Sequence, residues 1–252
     1  VWSGWKAWKM FLALDSDILM YKAASAAEKE VDWGDDVWSL QTDLKEAKQA
    51  FEYQIAKVTD RLGVKDYVCC LSDHKDNFRK VVDPSYKSNR KGTRKPVGYV
   101  ALCDWVEQTF KTFRKPRMEA DDCLGILATM PVNKGKVIMV SDDKDLKTIP
   151  GKLYRPMADE QLTITEAEAD KHFFTQVLTG DATDGYKGIP GIGPKKAEAI
   201  LGSRPHWGAV EQAYIKAGMT RDDAIQQARL ARILRWSDWH DEIQEIRLWT
   251  PS

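Results

Sequence analysis

Val137-Ile138-Met139-Val140-Ser141-Asp142-Asp143-Lys144-Asp145 is the stretch on which the fold turns. Four consecutive apolar residues, three of them β-branched, read as a strand buried on both faces. Three aspartates follow at once. In an open α/β sheet, ligands bind outside the carboxyl ends of parallel strands, so acids placed there predict a site. Upstream, Glu119, Asp121 and Asp122 open the helical run Ala120 to Met130, whose apolar Cys123, Ile126, Leu127 and Met130 face a core. Packing so many like charges is costly unless a cation neutralises them. Oxygen ligands without clustered His or Cys favour a hard divalent ion, Mg²⁺ or Mn²⁺.

The same grammar recurs toward the N-terminus. Phe11-Leu12-Ala13-Leu14 ends in Asp15, and the run Tyr67 to Leu71 ends in Ser72-Asp73. Ile18 to Glu30 reads as a helix, rich in Ala with Tyr21 and Ala24 on one side, Val37 to Leu62 carries the three-four spacing of an amphipathic helix, and Tyr99 to Phe113 is helical again with Leu102, Trp105, Val106 and Thr109 on one face. Leu153 to Arg155 reads as a further strand, and Thr165 to Thr179 as a helix. From Trp207 the pattern is mostly helical through Leu234, ending near Trp249. Strand and helix alternate over the first 150 or so residues, which predicts a mostly parallel sheet flanked by helices on both faces. A fifth acidic pair, Asp181 and Asp184, precedes a glycine-rich stretch.

The 252 residues are 43% hydrophobic, enough for one sizeable core with or without a small appended unit. Lys+Arg and Asp+Glu both number 38, but the signs are segregated. Between Lys75 and Lys95 eight Lys/Arg face only Asp76 and Asp83. The four cysteines form no C-x-x-C pair, which suggests reduced core residues of a cytosolic protein. The four His are scattered, which argues against zinc. No apolar run reaches transmembrane length, and the Trp2, Trp5 and Trp8 segment reads as one packed helical turn rather than a leader.

An aspartate at a helix start is ordinarily a cap. Several strand-end carboxylates converging on one sheet edge are better explained by two ions about 3.5–4 Å apart, an arrangement suited to in-line displacement at phosphorus. Two further stretches suit phosphate. Gly188-Ile189-Pro190-Gly191-Ile192-Gly193-Pro194-Lys195-Lys196-Ala197 permits close backbone approach and opens a helix near Pro194, with Lys195 and Lys196 as counter-charge. It lacks the G-x-x-x-x-G-K-[ST] of a nucleotide P-loop. Asp83 to Gly98 is a polar, basic loop expected to be mobile or weakly stable. Its Tyr86-Lys87-Ser88-Asn89-Arg90, with Lys91, Arg94 and Lys95 behind, could grip a nucleic-acid strand that the carboxylates would repel.

These motifs resemble the flap-endonuclease/5′→3′ exonuclease superfamily, and in particular its podovirus-type phage 5′-exonucleases. The matches are Asp-Pro-x-Tyr-Lys-x-Asn-Arg at Asp83 to Arg90, Glu-x-Asp-Asp at Glu119 to Asp122, Ser-x-Asp-x-Asp at Ser141 to Asp145, and Gly-Asp-x-x-Asp-Gly at Gly180 to Gly185. The similarity runs from Phe11 to Leu201 and more loosely beyond. It implies a PIN-like (Rossmann-like) α/β catalytic core over 1–179, with a basic arch or loop at about 76–98. It implies a helical DNA-binding part over 180–252, with a helix–hairpin-type clamp at 180–201. Asp15, Asp73, Glu119, Asp121, Asp122, Asp143, Asp145, Asp181 and Asp184 would bind two Mg²⁺ or Mn²⁺ ions. Asp17 and Asp142 fall outside the matched positions. Lys87 and Arg90 would contact the scissile phosphate. Tyr86, Lys91, Arg94, Lys95, Gly191, Gly193, Lys195 and Lys196 would contact DNA, and carbonyls near Ile189 to Gly193 would take K⁺.

The implied partner is double-stranded DNA with 5′ ends or flaps, with RNA–DNA hybrid as a further substrate. A monomer without membrane attachment is expected, in the cytoplasm of the host cell if the chain is phage-encoded. The segment between Tyr86 and Tyr99 is short for a full helical arch, which favours duplex ends over threaded flaps. A PIN-type ribonuclease and a non-catalytic DNA-binding protein are the alternatives. The glycine clamp argues against the first, and the intact acidic positions against the second.

Overall fold

The computed structural model describes residues 9–251 with the exception of Lys91. The Trp2, Trp5 and Trp8 reading and Lys91 therefore lie outside the described residues.

A six-stranded sheet organises the chain. β1 (Phe11–Asp15) lies between β4 (Tyr67–Cys70) and β6 (Val137–Val140), and the order is β5-β4-β1-β6-β7-β8, with β5 at Thr112–Phe113, β7 at Gly151–Arg155 and β8 at Glu160–Ile164. All neighbours are parallel except β7 and β8. The central strands are apolar throughout because both faces are covered. Phe11, Ala13, Val137 and Met139 enter one core, and Leu12, Leu14, Ile138 and Val140 the other. The first core is closed by α5 (Ala120–Thr129), with Phe78 of the short α3 (Phe78–Val82) beside it. The second is closed by α1 (Ser16–Ala26), α2 (Leu44–Leu62) and α4 (Tyr99–Thr109).

A third core joins α6 (Glu166–Thr179) to α7 (Pro194–Leu201), α8 (Trp207–Lys216) and α9 (Arg221–Ala231). Phe173, Phe174, Val177 and Leu178 of α6 sit in it, and beyond α9 the chain returns so that Ile233, Leu234 and Trp239 pack in the first core. The chain thus crosses between the cores on both sides of the glycine stretch.

Several expected bounds differ. The first helix stops at Ala26 instead of reaching Glu30, and a hairpin follows, β2 (Glu28–Asp32) with β3 (Trp38–Thr42). β2 is polar apart from Val31, and Leu40 of β3 falls in step with the three-four spacing of the helix that follows, which hides the hairpin in the sequence. The second helix therefore begins at Leu44 rather than Val37. Asp43 caps it by accepting the N–H groups of Lys45 and Glu46, and Gly63 ends it at φ 63°. The third ends at Thr109, which is exposed, and Thr112–Phe113 adds an edge strand. β8 and the short pair β9 (Trp239–His240) and β10 (Glu245–Ile246) have no counterpart among the expected elements. No described helix is long and apolar enough to cross a membrane. The four cysteines are free and buried.

Candidate active site

A cavity of about 210 Å³ opens at the carboxyl ends of β1 and β6, where the topology rule places it. Asp15, Asp17, Glu119, Asp121, Asp143, Asp145 and Asp184 line it, and Arg79, Lys87 and Arg90 face them. Short elements fix each acid. Asp15 is the last residue of β1. Asp143 and Asp145 follow β6, where Asp143 caps a 3₁₀ turn by accepting the Asp145 N–H at 2.8 Å. Glu119 and Asp121 sit at the start of α5.

The carboxylates raise one another's proton affinity. Burial first, then the Asp17 and Asp143 charges, push Asp15 up to about 7 despite a 2.7 Å bond from Ser141 Oγ. Asp145 rises to about 7 by burial and then by Asp143. Its Oδ1 accepts from Gln176 Nε2 at 2.6 Å. Asp121 is pushed well up by burial, then by Asp15 and Asp143. Glu119 goes the other way. Burial would raise it, but Arg79 and Lys87 outweigh that and hold it down to about 2. Lys87 Nζ bonds Glu119 Oε1 at 2.5 Å and lies 3.6 Å from Asp184. Arg90 bonds Asp184 at 2.7 Å.

Not all of the expected ligands meet here. Asp122 is fully buried and turned away from the cavity. It takes a two-pronged bond from Arg79 at 2.7 and 2.8 Å, plus the N–H groups of Glu119 and Leu234. With both oxygens so engaged, Asp122 anchors Arg79 and is not among the residues lining the cavity. Asp73 lies outside the cavity and accepts the N–H groups of Lys75 and Arg117. Asp181 sits behind the rim, bonded to Lys144 and to the Thr183 N–H. Asp17, set aside in the sequence, lines the cavity because the first turn of α1 follows β1 directly.

The basic loop also differs from expectation. Tyr86 is 3% exposed, and its hydroxyl stands 2.9 Å from Glu119 and 3.0 Å from Asp184, where its one proton serves either carboxylate, so its ring is a wall of the site. Arg94 forks onto Glu28 of β2 at 2.6 and 2.7 Å, and Lys95 lies 4.5 Å over the Tyr99 ring. Both are thus engaged within the chain. In the glycine stretch, nothing stands within 4 Å of an added Cβ at Gly191 or Gly193, and α7 begins at Pro194 without a side-chain cap. That backbone is open to a phosphate. Lys195 is exposed, whereas Lys196 Nζ bonds the Gly191 carbonyl at 2.9 Å.

Sequence reasoning missed Arg79. All five of its donors are used: two bonds to Asp122, one to Glu119, and one each to the Leu230 and Arg232 carbonyls. In the sequence it is one more cation in a basic run. Only the five-donor requirement of a buried guanidinium distinguishes it, and that is visible in three dimensions alone.

Among the described residues, no three His, Cys, Asp or Glu side chains form a group that could hold a metal ion as they stand. Several of the acids are instead turned onto local donors such as Ser141, Gln176 and Lys87. The donor set itself fits a hard divalent cation. It is all oxygen, and burial first, then the neighbouring carboxylates, raise the proton affinity of Asp15, Asp121 and Asp145, which a bound cation would relieve.

Fold and cavity together describe a doubly covered parallel sheet with an acidic site at its carboxyl edge. Residues 10–174 match the family model of the 5′-3′ exonuclease N-terminal resolvase-like domain, and the chain belongs to that family, among the phage-type 5′-exonucleases of the flap-endonuclease superfamily. It is similar to the exodeoxyribonuclease of Enterobacteria phage T3, with 33% identity over 282 residues, covering 96% of this chain and 93% of the relative. The exonuclease of Escherichia phage T7 is likewise 33% identical, with 96% and 94% covered. The crystal structure of the T5 D15 protein co-crystallized with metal ions shares the fold at TM-score 0.65 and 16% identity, covering 88% of this chain and 89% of that one.

Proposed function

We propose that this protein is a divalent-metal-dependent 5′→3′ exonuclease that hydrolyses phosphodiester bonds of duplex DNA with two ions, Mg²⁺ or Mn²⁺. The observation that carries the reading is the single cavity in which four aspartates from β1, α5 and the end of β6 face Lys87 and Arg90. Asp15, Asp121, Asp143 and Asp145 would hold the metal, with Glu119 and Asp184 beside them. When bound, the ions supply a lowered pKa for the attacking water and neutralise charge on the phosphate. Lys87 and Arg90 now neutralise Glu119 and Asp184. A phosphate entering between them would share those cations, and the gain grows as charge develops on its oxygens. The open backbone at Gly191 and Gly193 with Lys195 would hold the duplex away from the cut, and carbonyls near Ile189 to Gly193 would take K⁺.

The described part of the 86–98 segment contains turns and one 3₁₀ helix, Ser88–Arg90, and no long arch helix. That supports duplex ends as substrate. The test is digestion of 5′-labelled and 3′-labelled duplexes with Mg²⁺ and with EDTA, beside an RNA–DNA hybrid and single-stranded RNA. Early release of the 5′ label, abolished by EDTA, is expected. Early release of the 3′ label sinks the polarity, preferred cutting of single-stranded RNA points to a ribonuclease, and binding without cutting to a non-catalytic protein.

A further inference from the structure

We propose that Asn89 is a positioning residue, a latch that seats the turn carrying Lys87 and Arg90 on the loop 181–185. The proposal rests on the reading of Lys87 as the cation of the scissile phosphate. Lys87 stands at φ 54°, a backbone conformation that L side chains rarely adopt, so something outside the turn must hold it there. Its own N–H donates to the Asp184 carbonyl at 2.8 Å. Asn89 supplies the neighbouring anchor. Its Nδ2 donates to the Ala182 carbonyl at 3.0 Å and to the Thr183 carbonyl at 3.2 Å. An Asn in a turn ordinarily bonds its own backbone two residues on. Here the acceptors lie 93 and 94 positions away in sequence.

The loop that receives the latch is itself firmly held. A Cβ on Gly180 would stand 2.3 Å from the Lys187 backbone, and one on Gly188 2.3 Å from the Gly180 nitrogen, so the two ends of the loop touch. Asp181 and Tyr186 form a bridge across it, and the Ile189 N–H reaches back to Leu178 at 2.9 Å. The same touching glycines lead straight into the open backbone at Gly191 and Gly193. The side chain of Asn89 therefore ties the place of the Lys87 ammonium to the segment that would grip the duplex. It touches neither phosphate nor metal ligand to do so.

Asn89 is exposed, so its removal should leave the fold intact. Asn89→Ala should slow single-turnover cleavage of saturated enzyme on the order of tenfold, the scale of one or two hydrogen bonds removed. The Kd for duplex should stay at the wild-type value, and the Tm should fall by no more than a few °C. Asn89→Asp, equal in size but unable to donate, should slow at least as much. Because the latch acts through Lys87 and Arg90, the pair Lys87→Ala/Asn89→Ala should lose less than the product of the two single losses. A wild-type rate for Asn89→Ala, a loss confined to Kd, or losses that simply add in the double variant overturns the latch. Lys87→Ala cutting at the wild-type rate is a different failure, since it removes the role of Lys87 and the latch with it.

Discussion

Adjacent residues in the acidic helix start have opposite tasks. Asp121 faces the cavity among other carboxylates, and Asp122, one position on, points inward to Arg79. The 100° step per residue of a helix is the whole reason. Asp122→Asn would put an amide against four N–H donors and leave the buried guanidinium with Glu119 as its remaining ion-pair partner. Breaking a buried pair costs about 3–5 kcal/mol, which for a chain of this size lowers Tm by roughly 10 °C. The Mg²⁺ concentration for half-maximal rate, measured well below that Tm, should be unchanged. Asp121→Asn should do the reverse, raising the Mg²⁺ requirement with little loss of Tm. A raised Mg²⁺ requirement at unchanged Tm for Asp122→Asn would return that residue to the metal set.

Between elements, the most demanding contact is α5 against the returning C-terminal chain. Gly125 lies in α5, and a Cβ there would stand 2.3 Å from the Leu234 carbonyl and 2.9 Å from Ile149 Cδ1. Backbone cannot yield as a side-chain tip can. The Leu234 N–H is also bonded to Asp122, and the Arg232 carbonyl to Arg79, so the strap that presses on Gly125 is fixed at the acidic site itself. Gly125→Ala gains about 1 kcal/mol of helix propensity and loses more to overpacking, typically 1–3 kcal/mol. Urea unfolding should show a net loss of stability. Gly208→Ala in α8, where the added Cβ meets only the His206 ring at 3.3 Å, should be neutral or stabilising. Equal effects at the two positions would mean that the strap moves aside.

On the proposed function, gripping and cutting would belong to separate parts of the molecule. The open backbone at Gly191 and Gly193 and the lysines beside it lie outside the cavity lining. Replacing Lys195 and Lys196 by Ala should weaken binding to every duplex sequence alike. It should flatten log K against log salt by about 0.9 for each phosphate that is no longer neutralised. Single-turnover cutting at saturating protein should be nearly normal. Since Lys196 already holds the Gly191 carbonyl, Lys195→Ala alone should account for most of the change in slope. Titrations at three salt concentrations on two unrelated duplexes decide it. An unchanged slope makes the segment a plain connector, and a loss on one duplex alone indicates base readout.

The amino-acid order by itself determined the central sheet, because β1, β4 and β6 are covered on both faces and so are written as unbroken apolar runs. It also determined where the acids stand, since strand ends are legible from where those runs stop. The hairpin β2–β3 was illegible. Among the described residues its strands pair only with each other, and what they support, the Arg94 fork and the Val97 N–H on Glu28, is remote in sequence. Tertiary structure alone decided which way each acid points, that Tyr86 is a buried wall of the site, and that Arg79 ties the acidic helix to the C-terminal helices. A sequence pattern records burial and periodicity, which are local. Which donor meets which acceptor is settled only when segments distant in sequence are packed together and each buried polar group must find a partner.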